Sequence, residues 1–180
     1  SNNTAVGYVA LGANTTGASN VAVGSGALDA NTTGTGNIGI GVTALGANTT
    51  AGEGTGVGDG CLAVNTTGAL NSAFGAQTLA ACTTGSANTA IGGYALNDLT
   101  TAAENVAVGA TALASNTTAS HNTAVGNAAL TANTTGTNNV AVGAYTLDAN
   151  TTASNNTAVG RDALTANTTG SSNSSLGLNS

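Results

Sequence analysis

Apolar and polar positions follow one pattern that repeats along the chain from one end to the other. A glycine occurs at every seventeenth position from Gly7 to Gly177, and the residue before each of these glycines is apolar. A leucine follows four positions after each glycine, from Leu11 to Leu164, without a break. Because no insertion or deletion disturbs the spacing, we interpret residues 1–180 as one domain of ten full repeats and a partial eleventh.

Polar residues fill most of the remaining positions, and Asn122–Asn138 shows the typical repeat, N-T-A-V-G-x-x-A-L-x-A-N-T-T-G-x-x. An asparagine opens every repeat except one, where Gly54 replaces it. Seventeen residues are not a whole number of helical turns, and N-T-T-G favours turns and strands. A disordered chain has no reason to keep such a register. The pattern therefore predicts an all-β fold, a parallel β-solenoid (β-roll) with one 17-residue repeat per coil.

Each predicted coil contains a short strand, an apolar Ala-Leu segment and an N-T-T-G turn. We expect the apolar residue before the glycine to point into the coil together with the leucine, and by period two the residue two places earlier points the same way. That earlier residue alternates between polar and apolar types, which indicates either a half-polar interior or a contact face. The glycine permits a bend or a close backbone approach. The turn glycine can supply a positive φ, but alanine replaces it in four coils, so a positive φ is not required there. Identical residues then stack about 4.8 Å apart, and stacked asparagines can form amide ladders. The residues expected to form ladders, taken from two coils, are Val6, Gly7, Leu11, Asn14, Thr15, Thr16, Val108, Gly109, Leu113, Asn116, Thr117 and Thr118.

A single coil offers few large apolar side chains to offset the entropy of ordering its whole backbone. No capping sequence is evident at either end, and an uncapped solenoid exposes a strand edge. The sequence therefore predicts association between copies, either as a trimer or as a filament of subunits stacked end to end.

The N-V-A-V-G segments at 20–24, 105–109 and 139–143 resemble the head repeats of trimeric autotransporter adhesins. The longer string N-T-A-V-G-x-x-A-L-x-x-N-T-T-G is similar to shaft repeats of tail-fibre-like and surface proteins. The resemblance covers the whole chain, although adhesin heads usually have a shorter repeat. It implies a left-handed β-roll, a homotrimer and an extracellular, cell-surface or virion-fibre location. A structural or adhesive role follows from it, with a host surface or matrix component as the expected ligand.

Composition narrows the remaining functions. Lysine and arginine total one residue and the net charge is −6, so binding to nucleic acid through phosphate contacts is not expected. No apolar run is long enough for a transmembrane helix, so membrane insertion is not expected either. The sequence lacks a signal peptide and an initiating methionine, which suggests a processed product or a segment of a longer chain. The few, scattered acids argue against an enzyme, and we expect no cofactor.

Candidate chemical groups are sparse. His121 occupies a variable position, which favours an exposed loop residue over a catalytic or metal-binding one. Cys61 and Cys82 occupy different positions of successive repeats and do not stack. We therefore predict two isolated thiols, with an intrachain disulfide as the alternative.

The sequence does not fit known metal-binding repeats, because a zinc site needs more ligands and calcium-binding repeats need a regular aspartate. The N-T-T pattern also fits N-glycosylation, but a turn ladder explains its periodicity better; its asparagines are Asn14, Asn31, Asn48, Asn65, Asn116, Asn133, Asn150 and Asn167.

Three functions remain open at this point. The first is a structural or adhesive fibre segment, and the second is a self-assembling extracellular filament. The third is an ice-binding solenoid that uses its threonine ladder, although only one threonine of each adjacent pair can face outward. No metal, cofactor or catalytic residue is assigned in any of the three.

Overall fold

The computed structural model, which describes residues 2–180, is a β-solenoid with one strand per coil. Its parallel sheet contains 11 strands in sequence order, and each strand pairs with the strand of the next coil so that equivalent repeat positions lie side by side. The predicted all-β solenoid is confirmed, and its handedness stays a prediction. The strands are β1 (Thr4–Val6), β2 (Val21–Val23), β3 (Ile38–Ile40), β4 (Thr55–Val57), β5 (Ser72–Phe74), β6 (Thr89–Ile91), β7 (Val106–Val108), β8 (Thr123–Val125), β9 (Val140–Val142), β10 (Thr157–Val159) and β11 (Ser174–Leu176).

Hydrogen bonds between coils continue outside the strands. The Leu28 amide donates to the Ala44 carbonyl at 3.0 Å, and the Thr32 amide donates to the Thr49 carbonyl at 2.9 Å. Equivalent bonds recur at the same positions of the other full coils. Each coil is therefore fixed to the next around much of its circumference, and the stack forms a rod roughly 50 Å long at about 4.8 Å per coil.

Leucine and alanine fill the interior. The leucines of eight consecutive coils are fully buried or nearly so, and those of the two outermost coils, Leu11 and Leu164, pack against the core while half-buried. The predicted inward direction of leucine is confirmed. The buried leucines are Leu28, Leu45, Leu62, Leu79, Leu96, Leu113, Leu130 and Leu147.

The prediction for the strand side chains is wrong. The middle residue of the strand faces the interior, as the fully buried Ala107 and Ala124 show, and its two neighbours face outward. Val6 is 59% exposed, and Val108 is half-buried. The reason is the narrow interior: a Cβ placed on Gly39, in the middle of β3, would lie 3.3 Å from Cγ of Leu28. That space accepts alanine or glycine, but not valine.

The glycine after each strand is required for two reasons, its backbone conformation and the close approach of the next coil. Its φ lies between 125° and 141° in all eleven copies, a region that is essentially restricted to glycine. In addition, a Cβ on Gly109 would lie 2.5 Å from the carbonyl carbon of Gly126 in the next coil. The N-T-T-G glycines, such as Gly17 and Gly34, have no positive φ, which confirms that this position does not need one.

Candidate interaction surface

The asparagine that opens each repeat forms a buried amide ladder. Oδ1 of Asn20 accepts from the backbone amide of Asn37 at 2.9 Å, and Nδ2 of Asn20 donates to the Gly34 carbonyl at 2.9 Å. One side chain thus satisfies a donor of the following coil and an acceptor at its own turn. Because buried backbone groups are costly when unpaired, this ladder stabilises the coil-to-coil contact.

The turn asparagine forms a second ladder. Nδ2 of Asn48 donates to Oδ1 of Asn31 at 2.9 Å and to the Ala51 carbonyl at 3.2 Å. Asn14 and Asn167, in the end coils, are half-buried, and the other six asparagines of the N-T-T motifs are buried. Their amides are hydrogen-bonded inside the fold, so the periodic N-T-T pattern has a structural explanation and these six asparagines are not accessible to glycosylation in the folded rod.

Both ladders are interrupted where the sequence departs from asparagine. Gly54 offers no side-chain acceptor for the backbone amide of Asn71, which donates no hydrogen bond within the described residues. Cys82 and Leu99 replace two consecutive turn asparagines. As a result, Oδ1 of Asn65 is buried without a partner. These are places where the repeat tolerates a cost of about 1–3 kcal/mol for an unpaired polar group.

Replacing Gly54 with asparagine is expected to raise the free energy of unfolding by about 1–2 kcal/mol, since the new Oδ1 would accept from the Asn71 amide. Gly54 has no positive φ, and a Cβ there lies 3.2 Å from Oδ1 of Asn37. The Gly54 amide donates to that Oδ1 just as the amide of Asn37 donates to Asn20, so the backbone already has the position that asparagine takes in other coils. Urea unfolding followed by circular dichroism measures the change. Gly54→Ala is the matched control: an equal gain in both variants would assign it to the loss of glycine entropy rather than to the ladder.

The two threonines of each pair have different environments. Oγ1 of Thr32 donates to the Thr49 carbonyl at 3.0 Å, and the same bond links Thr15 to Thr32 and Thr117 to Thr134. The second threonine is exposed in all ten coils, as Thr16 and Thr118 illustrate. In the nine pairs from Thr15 to Thr151, the first hydroxyl therefore bonds to the next coil, and the second threonines form a column that faces solvent.

The two cysteines are free and buried. The prediction of two isolated thiols is confirmed, and the alternative of an intrachain disulfide is wrong in this structure. Burial raises the pKa of Cys61 to about 12 and that of Cys82 to about 11. Since the thiolate is the reactive form, both side chains are poor nucleophiles at neutral pH.

We expect neither thiol to react with a water-soluble disulfide reagent at pH 8 in the native protein, and two thiols per chain to react in denaturant. Thr50→Cys, at an exposed turn position, is the positive control and should react at once. Fast labelling of the native wild type would show that a coil opens locally. The folded state keeps both thiols protonated above their unfolded pKa, so stability declines as the pH rises from about 9 to about 12.

The charged side chains lie on turns and bends, where they are exposed or half-buried. His121 Nε2 lies 3.1 Å from Oε2 of Glu104 in the preceding coil, with both side chains more than half exposed. Such a surface pair contributes little to stability. Within residues 2–180, no three His, Cys, Asp or Glu side chains are grouped so that they could hold a metal ion. The same residues include no helix that is long and apolar enough to cross a membrane.

The outward side of the sheet presents two columns of side chains, which we call the outer sheet face. Column A contains the first residue of each strand and column B the third. Column B is apolar in all eleven strands, and neither column contains a charged residue. Exposure is substantial in the middle of the rod, with Phe74 and Ile91 each at 42%. Sequence reasoning placed column B in the interior and so missed this surface, although a contact face was one of the two alternatives for column A.

Comparison of the chain with known protein families, with curated proteins and with solved structures finds no match. The solenoid architecture is therefore supported by the strand order and register of the structure alone, and the resemblance to adhesin heads and fibre shafts stays a prediction.

Proposed function

We propose that this chain is a structural segment of an extracellular fibre, in which several copies pack through the outer sheet face to form a rigid rod. The observation that carries the proposal is the uncharged, largely apolar face that runs along all eleven strands. A long exposed strip of this kind is typical of a protein contact rather than of a free surface. The role of the rod is mechanical: it holds whatever it carries at a fixed distance from its attachment point.

Another copy of the same chain fits this face best. Its side chains repeat at the spacing of parallel strands, about 4.8 Å, and a second solenoid with the same repeat matches that spacing along the full length. Charge supports the same partner. Seven acidic residues and one arginine all lie off the face, so copies that meet through it keep their like charges apart.

Three copies around an axis parallel to the rod would bury the outer sheet faces and leave the threonine column and the variable turns outside. Trimeric adhesin heads and fibre shafts, which the repeat resembles, make this number the first expectation. An adhesive contact with a host surface or matrix component would then use the repeated outer positions, since the coils carry no inserted loops.

Light scattering after size exclusion tests the proposal. The wild type is expected to have the mass of three chains at all concentrations, and Ile91→Asp with Val125→Asp is expected to reduce it to one chain, because buried unpaired carboxylates are costly. Thr118→Asp with Thr135→Asp adds the same charge at exposed positions off the face and should leave the mass unchanged. A single-chain mass for the wild type would contradict the proposal, and circular dichroism checks that each variant is folded.

Ice binding is a second candidate, favoured by the unbroken column of ten exposed threonines. Regular threonine arrays at strand spacing can match an ordered water lattice. Thermal hysteresis that is lost when Thr84, Thr101 and Thr118 are replaced by lysine would establish this function. The remaining alternative is a filament of subunits stacked end to end. Electron microscopy of the untreated protein tests it, because indefinitely long fibres would indicate such a filament.

A further inference from the structure

This inference rests on the proposed association through the outer sheet face. We propose that two strands, β5 and β11, align the copies along the rod axis, because Phe74 of one copy packs against Ser72 of the next and Leu176 packs against Ser174 in the same way. The pairing fixes which coil of one copy lies beside which coil of its neighbour.

The two columns of the outer sheet face depart from their usual residue types on the same two strands. Column B is a β-branched valine or isoleucine in nine of the eleven strands, and the exceptions are Phe74 and Leu176. Column A is threonine, valine or isoleucine in nine strands, and the exceptions are Ser72 and Ser174. The two serines thus occur on the same two strands as the two atypical column B residues. At β5 the smallest column A side chain accompanies the largest column B side chain, and at β11 a serine accompanies leucine, the only column B residue that is branched at Cγ rather than at Cβ or aromatic.

Symmetry turns this covariation into a contact between copies. Any rotation axis parallel to the rod keeps equal coils of all copies at the same height, and it brings column B of one copy towards column A of the next. In register, Phe74 meets the small Ser72, and the interface keeps an even thickness. After a shift of one coil, Phe74 meets Thr55 or Thr89, while a β-branched residue faces Ser72 and leaves a gap. Overpacking and cavities are both destabilising, so both misfits oppose the shift.

The rod needs such a device because its coils are nearly identical. A shift by one coil removes the contacts of only one strand in eleven, so uniform columns would specify the register weakly. Phe74 and Leu176 lie six coils apart. Their unequal side chains prevent one from replacing the other after a shift.

Disulfide cross-linking between co-expressed variants tests the register. One chain carries Thr123→Cys in column A of β8, and the other carries a cysteine in column B of β7, β8 or β9, as Val108→Cys, Val125→Cys or Val142→Cys. A shift of one coil moves the partner by about 4.8 Å, which is beyond the geometry of a disulfide. The native cysteines are buried and do not compete. We expect the Val125→Cys pair to give at least tenfold more cross-linked dimer than either other pair.

A variant with uniform columns tests whether β5 and β11 set the register. Ser72→Thr, Phe74→Val, Ser174→Thr and Leu176→Val together give β5 and β11 the outward residues of β8, and the preference for Val125→Cys is expected to fall at least threefold. An unchanged preference would overturn the inference, and would also fit a contact of Phe74 with Ser72 within one chain. Equal cross-linking of all three pairs in the otherwise unchanged chain would overturn it as well. Both outcomes leave the association intact, whereas a single-chain mass would refute the proposed function itself.

Discussion

Replacing Gly109 with alanine is expected to lower the free energy of unfolding by about 2–6 kcal/mol. A side chain at its φ of 137° costs about 1–3 kcal/mol. The added Cβ would also lie 3.0 Å from the backbone nitrogen of Asn127 and closer still to the Gly126 carbonyl, which adds about 1–3 kcal/mol of overpacking. Neither strain can relax without moving the next coil. Urea unfolding monitored by circular dichroism measures the loss.

Gly46→Ala is the matched control for this substitution. Gly46 has no positive φ, and alanine stands at the equivalent place in other coils, at Ala63 and Ala80. The nearest atom to its added Cβ is the Thr43 carbonyl oxygen at 3.1 Å. We expect a change within about 1 kcal/mol, in either direction. Equal effects of the two substitutions would refute the explanation given for the glycine after each strand.

Replacing Leu113 with alanine is expected to cost about 2–5 kcal/mol, because it empties the interior of one coil. Leu113 is fully buried and adopts a φ of 51°, an unfavourable backbone conformation for a residue with a side chain. The alanine variant keeps this backbone cost and loses the burial that offsets it. Differential scanning calorimetry would show the change as a lower unfolding temperature.

Leu70→Ala separates burial from backbone conformation. Leu70 has a similar φ of 62°, but its side chain is 56% exposed. Its replacement should change stability by no more than about 0.5 kcal/mol. A large effect at Leu70 would mean that leucine stabilises the coil through the backbone rather than through the core.

The sequence predicted the coil length, the inward leucine and the stacked asparagines, because each depends on spacing and on residue chemistry. It misplaced Val6 and Val108 because apolar character was taken as a sign of burial. In a coil this narrow, the leucine already fills the interior, so size decides which strand residue faces inward. The signal was present in the small residue between the two columns, which is alanine, glycine or serine in every strand.

The left-handed backbone conformation of the leucines could not be predicted from the sequence, since leucine rarely adopts it in isolation. It follows from the closure of the coil, in which every leucine of the ladder has a φ between 50° and 54°. The environments of the two threonines, Thr15 and Thr16, also depend on that closure. The period-two rule applies to strands, and these residues lie in a bend.

The two interruptions of the asparagine ladders coincide in space, and this has a consequence for a rod under tension. The missing partner of the Asn71 amide and the missing partner of Asn65 Oδ1 both belong to the boundary between coil 54–70 and coil 71–87. Across residues 2–180, no other boundary lacks both ladder bonds. A pulling force along the axis acts equally on every boundary between coils. We therefore expect the rod to separate first at this boundary, because it lacks both ladder bonds. Rupture there would divide the chain into two shorter solenoids and uncover Cys61, whose thiol lies 3.4 Å from the Ala73 carbonyl across that boundary.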